Sequence, residues 1–367
     1  MNNHFLKFLF LGILFIVILI GNQNLGYKIN QDNTLNSKIL INNNLKDVNL
    51  NNFNNFNLNT LSELDKKYQE IKQDNNSYLS QDNNLSLSIN NSFIDKAQLN
   101  NLNNNLNYRF ILKNNFSEVI FPNVSAKIVL VADLKTNQIL WTKNINQRWP
   151  IASLTKLVTS VFAFKNMDPE SKITLTEKDV NVLDSGTQSD QKLQAGESYF
   201  ISDLIKWMML ASRNEAAEGL ANFFSREKFI AGMNDLVKSW GANFTYFNDP
   251  TGLSVSNQST PEDIFKIVQK IYFDYPEILK ISTQKSLIVK DLSNSKNRLI
   301  YNIHPFAGNP EFLGGKTGFI QSSKQNLVSI FNFKNQPIMI LIMGSDDRVR
   351  DTQIIFEWLK LNFQLVD

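Results

Sequence analysis

From about residue 119 onward the chain reads as strands at both ends with helices between, and few folds accommodate that order. Ala126 to Asp133 is a β-rich run, Leu134 to Asn137 a turn and Gln138 to Lys143 a second strand. A helix-rich middle comes next. Ser202 is expected to cap an apolar helix over Asp203 to Leu210, and another helix runs from Glu215 to about Phe224. Asp249-Pro250-Thr251-Gly252-Leu253 reads as a turn, and Thr260-Pro261-Glu262 opens a further helix with Thr as its cap. Strands then return at Leu313 to Ile320, Asn326 to Phe333 and Pro337 to Met343, with a turn at Lys334-Asn335-Gln336. An amphipathic helix from Thr352 to about Leu361 closes the pattern. The expected architecture is an α/β (α+β) domain: one antiparallel sheet completed by the two ends of the domain, flanked by helices, with an all-helical lobe inserted.

Ser153-Leu154-Thr155-Lys156 lies where the first hairpin meets the helical part. Pro150 and Ala152 mark the start of a helix, and the apolar residues after Lys156 keep a helical spacing. Residues three apart share a helix face, so the Ser153 hydroxyl and the Lys156 amine can meet. A first-turn serine also lies where the helix dipole favours developing negative charge. This is a serine nucleophile with an amine as proton acceptor. The pattern alone is weak. It recurs at Ser189/Lys192, Ser225/Lys228, Ser282/Lys285 and Ser293/Lys296, each of which reads as a solvated face. Two downstream motifs single out Ser153. Ser212-Arg213-Asn214 comes 59 residues later, and the chain's single Lys316-Thr317-Gly318 another 104 residues on. Taken singly, Lys316 is a surface strand lysine, Asn214 a helix cap and Ser212 a turn residue. Only their order and spacing together point to a site.

Composition removes alternatives. The 367 residues carry a net charge of +3 with 19% charged residues, so no nucleic-acid footprint stands out. There is no Cys, hence no disulfide, thiolate nucleophile or Cys-based zinc site. There are only two His, His4 and His304, so a Ser-His-Asp triad would have to use His304 and a multi-His metal site is unavailable. No metal or organic cofactor is implied. His304, in Asn302-Ile303-His304-Pro305, otherwise reads as a loop or strand-end residue.

Residues 1–21 read as an export segment. Lys7 gives a positive start and Leu9 to Ile20 an apolar run, with no A-x-A cleavage pattern after it, so an uncleaved membrane anchor is favoured over a signal peptide. Residues 22–118 are Asn-rich and of low complexity, as in Leu50-Asn51-Asn52-Phe53-Asn54-Asn55, and read as a tether. Within it Thr60-Leu61-Ser62-Glu63 resembles a capping box, and Leu61, Leu64, Tyr68 and Ile71 form a short apolar stripe. Residues 119–367 read as the catalytic domain.

With these residues in place, the domain resembles the low-molecular-mass penicillin-binding proteins, the serine-type D-alanyl-D-alanine carboxypeptidases, and so a β-lactamase/transpeptidase-like fold. Besides the three motifs, the resemblance rests on Pro150-Ile151-Ala152, Ala216-Ala217-Glu218-Gly219-Leu220-Ala221, Asp249-Pro250-Thr251-Gly252-Leu253, and Met343-Gly344 followed by Arg348. Arg213 stands where the family often has a small residue and Phe319 where it often has His, and both are expected to bear on substrate preference. A C-terminal β-sandwich and amphipathic anchor found in many members are not expected here, the N-terminal segment taking over anchoring.

The resemblance implies attack by Ser153 on the penultimate D-Ala carbonyl of a peptidoglycan stem peptide, release of the terminal D-Ala, and hydrolysis of the acyl-enzyme. β-Lactams would acylate the same serine. Lys156 would take the Ser153 proton, Ser212 would relay a proton to the leaving amine, and Asn214 would bond the substrate amide. Lys316 and Thr317 would hold the terminal carboxylate, and Gly318 would let the substrate backbone approach. The N–H groups of Ser153 and Phe319 would form the oxyanion hole. A D,D-endopeptidase cutting crosslinks would use the same residues. A class A β-lactamase would need a further Glu in an E-x-x-L-N loop, and only Pro276-Glu277-Ile278-Leu279-Lys280 and Asp249 come near. An inactive envelope-tethered binding protein would show a broken motif, and none is broken. The expected location is the extracytoplasmic face of the cell envelope.

Overall fold

The structure is a computed structural model that describes residues 108–114, 119–182 and 192–366, within a unit spanning Asn90–Asp367. The export segment and the short amphipathic stripe of the tether lie outside the described residues. Among the described residues no helix is long and apolar enough to cross a membrane.

Strand β1 (Arg109–Leu112) precedes the hairpin of β2 (Ile128–Asp133) and β3 (Ile139–Lys143). A short β4 (Trp149–Pro150) leads through a 3-10 turn at Ala152–Leu154 into α1 (Thr155–Asn166). The lobe continues with β5 (Lys172–Thr174), α2 (Glu177–Val180), β6 (Ser198–Phe200), α3 (Ile201–Ala211), α4 (Asn214–Phe224) and α5 (Arg226–Ser239). It then adds β7 (Gln258–Ser259), α6 (Pro261–Asp274), α7 (Pro276–Ile281) and the hairpin of β8 (Ser286–Asp291) and β9 (Lys296–Tyr301). The chain returns to the sheet with β10 (Phe312–Ile320), β11 (Lys324–Phe333) and β12 (Gln336–Ser345), and ends with α8 (Arg348–Asn362) and β13 (Phe363–Val366).

The central sheet has the order β10-β11-β12-β2-β3 and is antiparallel throughout, so the two ends of the domain do complete one sheet. Its middle strands are apolar on both faces because both faces are covered. Ile128, Leu130 and Ala132 of β2 join the helical-lobe core with Met339, Leu341 and Met343 of β12. Val129 and Val131 point the other way, with Ile338, Ile340 and Ile342, against Ile355, Phe356 and Leu359 of α8. The period-two alternation between two cores leaves no polar face on β2, where all six residues are buried. The β11–β12 connection is a two-residue turn in which Lys334 (φ 54°) and Asn335 (φ 63°) are both left-handed, the geometry that matches strand twist in tight hairpins.

Three local expectations change. Ser202 does not cap α3, which begins at Ile201 with Phe200 before it and no side-chain cap. Its first N–H groups are taken instead by carbonyls of the preceding loop, Ile201 by Ser171 O at 3.0 Å and Ser202 by Pro169 O at 3.1 Å. The last helix starts four residues earlier than its apolar spacing suggests, because Asp347 caps it by accepting from Arg350 N. Residues 109–112, on the tether side of the composition change at 119, form β1 and pair with β13 beyond that helix. The Thr260 cap is as expected, with Thr260 Oγ1 accepting from Asp263 N at 3.3 Å.

Candidate active site

Ser153 sits on the 3-10 turn that feeds α1, two residues before the α-helix rather than in its first turn. Ala152 holds φ at +50°, a left-handed value that costs a non-glycine residue about 1–2 kcal/mol. The surroundings impose it. Gly252 packs against this turn so closely that a Cβ there would lie 2.0 Å from Ala152 O. Gly318 of β10 approaches the same turn, and a Cβ there would lie 2.9 Å from Ile151 O and 3.3 Å from Ser153 N. The missing Cβ of Gly318 therefore makes room for the nucleophile's own turn.

Lys156 is fully buried on α1. Its Nζ lies 2.9 Å from Ser153 Oγ and donates to Asn214 Oδ1 at 2.7 Å and Thr251 O at 2.6 Å. Burial is the main force lowering its pKa, to about 7 from the usual 10.5; Arg213 pushes the same way, and Asp249, Glu215 and Glu218 push back. Sequence reasoning has no means of finding the Thr251 carbonyl, since backbone carries no motif. Asp249 puts it there, accepting from the N–H groups of Thr251 (2.7 Å), Gly252 (2.6 Å) and Ser254 (2.7 Å) and from Thr251 Oγ1 (2.7 Å). Asn257 ties the same loop to α1, donating to Asp249 O at 2.9 Å and Thr155 Oγ1 at 3.1 Å.

Ser212 closes α3 in the left-handed conformation (φ 57°), which turns its side chain out of the helix ladder. Its Oγ accepts from Lys316 Nζ at 2.8 Å. Lys316 is buried on β10 and also donates to Thr317 O at 3.1 Å. Burial, with Lys156 and Arg348 nearby, holds its pKa well below the usual lysine value. Arg348 reaches from the start of α8 to donate to Gly318 O at 3.0 Å. Arg213, expected to bear on substrate preference, is buried and ion-paired to Glu215.

β10 is an edge strand, and the end of α7 covers part of that edge. Gly315 N donates to Ser282 Oγ at 2.9 Å, so Gly315 points its N–H away from β11. With a period of two, the N–H groups of Thr317 and Phe319 leave from the same edge. Phe319 itself is 46% exposed. The three motifs thus meet at one place: Ser153 and Lys156 from the turn and α1, Ser212 and Asn214 from the α3–α4 junction, Lys316, Thr317 and Gly318 from β10.

The other S-x-x-K matches do not share it. Ser282 is the pin on β10, Ser293 Oγ bonds Asp291 Oδ1 at 2.7 Å, and Ser225 joins α4 to α5; Ser189 lies outside the described residues. His304 is buried, stacks on Phe312 at 4.3 Å and shares a 3.1 Å hydrogen bond between Nε2 and Val328 O, so it is packed behind β10 rather than at a strand end. Burial pushes its pKa down to about 3, which keeps it neutral. Neither carboxylate that might serve a lactamase is available. Asp249 is committed to its loop and Glu277 is exposed at the start of α7. Among the described residues no group of three or more His, Cys, Asp or Glu is placed to hold a metal ion.

Comparison with known proteins fits this geometry. The sequence profile of peptidase family S11, D-alanyl-D-alanine carboxypeptidase, matches residues 115–347. The D-alanyl-D-alanine endopeptidase of Escherichia coli K12 is 26% identical over 255 residues, covering 65% of this chain and 78% of that one. That of Haemophilus influenzae is 31% identical over 227 residues, covering 60% and 76%. The carboxypeptidase DacF of Bacillus subtilis is 25% identical over 234 residues, covering 62% and 60%. In fold, the chain superposes on the D-alanyl-D-alanine carboxypeptidase of Mycobacterium tuberculosis H37Rv with a TM-score of 0.60, at 24% identity over 66% of this chain and 94% of that one. The Streptomyces K15 DD-transpeptidase gives 0.59 at 22% identity over 65% and 98%. By the extent of the profile match and by the motifs that it spans, this chain belongs to the D-alanyl-D-alanine carboxypeptidase family of serine peptidases.

Proposed function

We propose that the chain removes the terminal D-Ala from peptidoglycan stem peptides through an acyl-enzyme on Ser153. The observation that carries this is the bonding of Lys156. A neutral amine has two N–H groups and one lone pair. When Asn214 Oδ1 and Thr251 O accept the two hydrogens of the neutral form, its lone pair is left for Ser153 Oγ, 2.9 Å away, whereas the ammonium form donates to all three. With its pKa near 7 the amine is substantially neutral at physiological pH and takes the Ser153 proton as the hydroxyl attacks. The N–H groups of Ser153 and Phe319 receive the oxyanion, and Lys316 with Thr317 binds the substrate's terminal carboxylate. Ser212, bonded to Lys316, relays to the leaving amine the proton that Lys156 took from Ser153. Asn214 orients Lys156 and the substrate amide together. Gly318 serves by seating the nucleophile's turn against β10.

The natural test is D-Ala release from a peptide ending in D-Ala-D-Ala, with Ser153→Ala beside the wild type. Release by the wild type and loss of about 10³-fold or more in the variant are expected. Equal release by both would reject Ser153 as nucleophile. A crosslinked muropeptide dimer belongs in the same assay, because relatives named endopeptidases match at 25–31% identity. Cleavage of the dimer without D-Ala release would replace the carboxypeptidase reading with the endopeptidase one. A fluorescent penicillin is expected to label the wild type and not Ser153→Ala. We place the enzyme outside the cytoplasmic membrane, held by residues 1–21, and membrane fractionation with and without those residues tests it.

A further inference from the structure

Catalysis by Ser153 uses Ser212 and Asn214 but leaves Arg213 and Glu215 without a task. Both are 2% exposed and paired through two hydrogen bonds, Nε to Oε2 at 3.1 Å and Nη2 to Oε1. Opposite charges buried this deeply are seldom justified by stability alone, since desolvation offsets their attraction and apolar residues of similar volume serve as well. Their position is more informative. They flank Asn214 on either side along the chain, and Asn214 Oδ1 holds Lys156 Nζ at 2.7 Å. The backbone there is a corner, left-handed at Ser212 (φ 57°), extended at Arg213 (φ −65°, ψ 125°) and helical from Asn214. No side chain caps α4 at this corner. A rigid bidentate fork from residue 213 to residue 215 closes it.

We propose that the Arg213–Glu215 pair is a positioning device for the catalytic base, clamping Asn214 on Lys156 Nζ and balancing the electric field at that atom. This rests on the reading of Lys156 as the base of Ser153. The charged groups facing Lys156 come from three elements. Asp249 of the 249–254 loop and Glu215 and Glu218 of α4 favour the ammonium, whereas Arg213 opposes it. Lys316 of β10 is of like charge, and the two lysines disfavour one another's ionisation. Glu218 is itself paired with Arg226. Within this set the 213–215 pair is a matched couple: removing either charge alone unbalances the site in a known direction.

The test is protonation of Lys156 in the full chain, followed by NMR of ¹³C-labelled lysine and assigned with Lys156→Met, so that it does not depend on turnover. Glu215→Gln leaves Arg213 uncompensated and is expected to move the Lys156 midpoint down by on the order of one pH unit. Arg213→Gln is expected to move it up by a similar amount, and the double variant to return it close to the wild-type value. A packing role predicts no such opposition of sign. Arg213→Lys keeps the charge but loses the fork. It is expected to leave the midpoint in place while lowering kcat for D-Ala release about tenfold or more. Should the single neutral variants fail to fold, the double variant and Arg213→Lys carry the test. Midpoints that do not move, or that move the same way in both singles, overturn the field balance. Wild-type kcat in Arg213→Lys overturns the clamp. Absence of D-Ala release by the wild type, with the midpoints moving as described, would instead overturn the carboxypeptidase reading and leave the pair's role standing.

Discussion

Lys156→Met is expected to lower the rate of acylation by about 10²–10⁴-fold, the usual range for loss of a positioned general base. Met keeps the apolar stem in the buried channel and removes only the amine, so the circular dichroism spectrum should not change. The sign of the pH dependence comes from the direction of the shift. The folded pKa of Lys156 is depressed to about 7 from 10.5, chiefly by burial, and the neutral amine is the reactive form. The wild-type rate should therefore rise with pH through about 7 and level off above it. The residual activity of Lys156→Met should lack that limb. Stability carries the same signature. Between about 7 and 10.5 the unfolded chain binds the proton that the folded chain has released, so stability at this site rises with pH across that window. The midpoint of urea denaturation in wild type against Lys156→Met reads this difference. A Lys156→Met enzyme with wild-type acylation, or a wild-type profile that falls through pH 7, would remove Lys156 from the role of base.

Much of this site is legible from residue types, because the chemistry needs particular side chains at particular spacings. Ser153 with Lys156, Ser212 with Asn214, and the K-T-G on a strand are all visible as patterns, and so is a sheet built from both ends of the domain. What escapes belongs to backbone and to burial. The Thr251 carbonyl that receives Lys156 has no side-chain signature, and its placement depends on four hydrogen bonds to Asp249, a residue whose stretch fits the family in sequence but shows no task there. Arg213 stands out in sequence only as a departure from the small residue that the family often has there. Only the fold shows it turned inward onto Glu215. His304 shows the converse, a polar residue in a loop-like sequence that is buried because Phe312 and the Val328 carbonyl receive it. β1 escapes because a four-residue strand at the end of an Asn-rich stretch has too little apolar pattern of its own. Its partner β13 lies more than 250 residues away in sequence.

Gly252→Ala should be the most damaging single-methyl change near the site, and Gly196→Ala is its control. Both glycines are left-handed, Gly252 at φ +86° and Gly196 at φ +88°, so both variants carry the same backbone penalty of about 1–2 kcal/mol. They differ in what the new methyl meets. At Gly196 there is nothing within 4 Å. At Gly252 the methyl would lie 2.0 Å from Ala152 O, 2.3 Å from Ala152 C and 2.9 Å from Ser153 N. These are backbone atoms of a turn already held at positive φ and also closely approached by Gly318. Overpacking of this kind adds about 1–3 kcal/mol and displaces Ser153. A shift of about 1 Å in a nucleophile costs on the order of 10²-fold in rate. Gly252→Ala is therefore expected to lose both stability and penicillin acylation, whereas Gly196→Ala loses a little stability and keeps its acylation rate. If thermal denaturation and acylation rates place the two variants together, the turn is softer than its contacts imply, and the rigid seating of Ser153 between Gly252 and Gly318 is not what sets its reactivity.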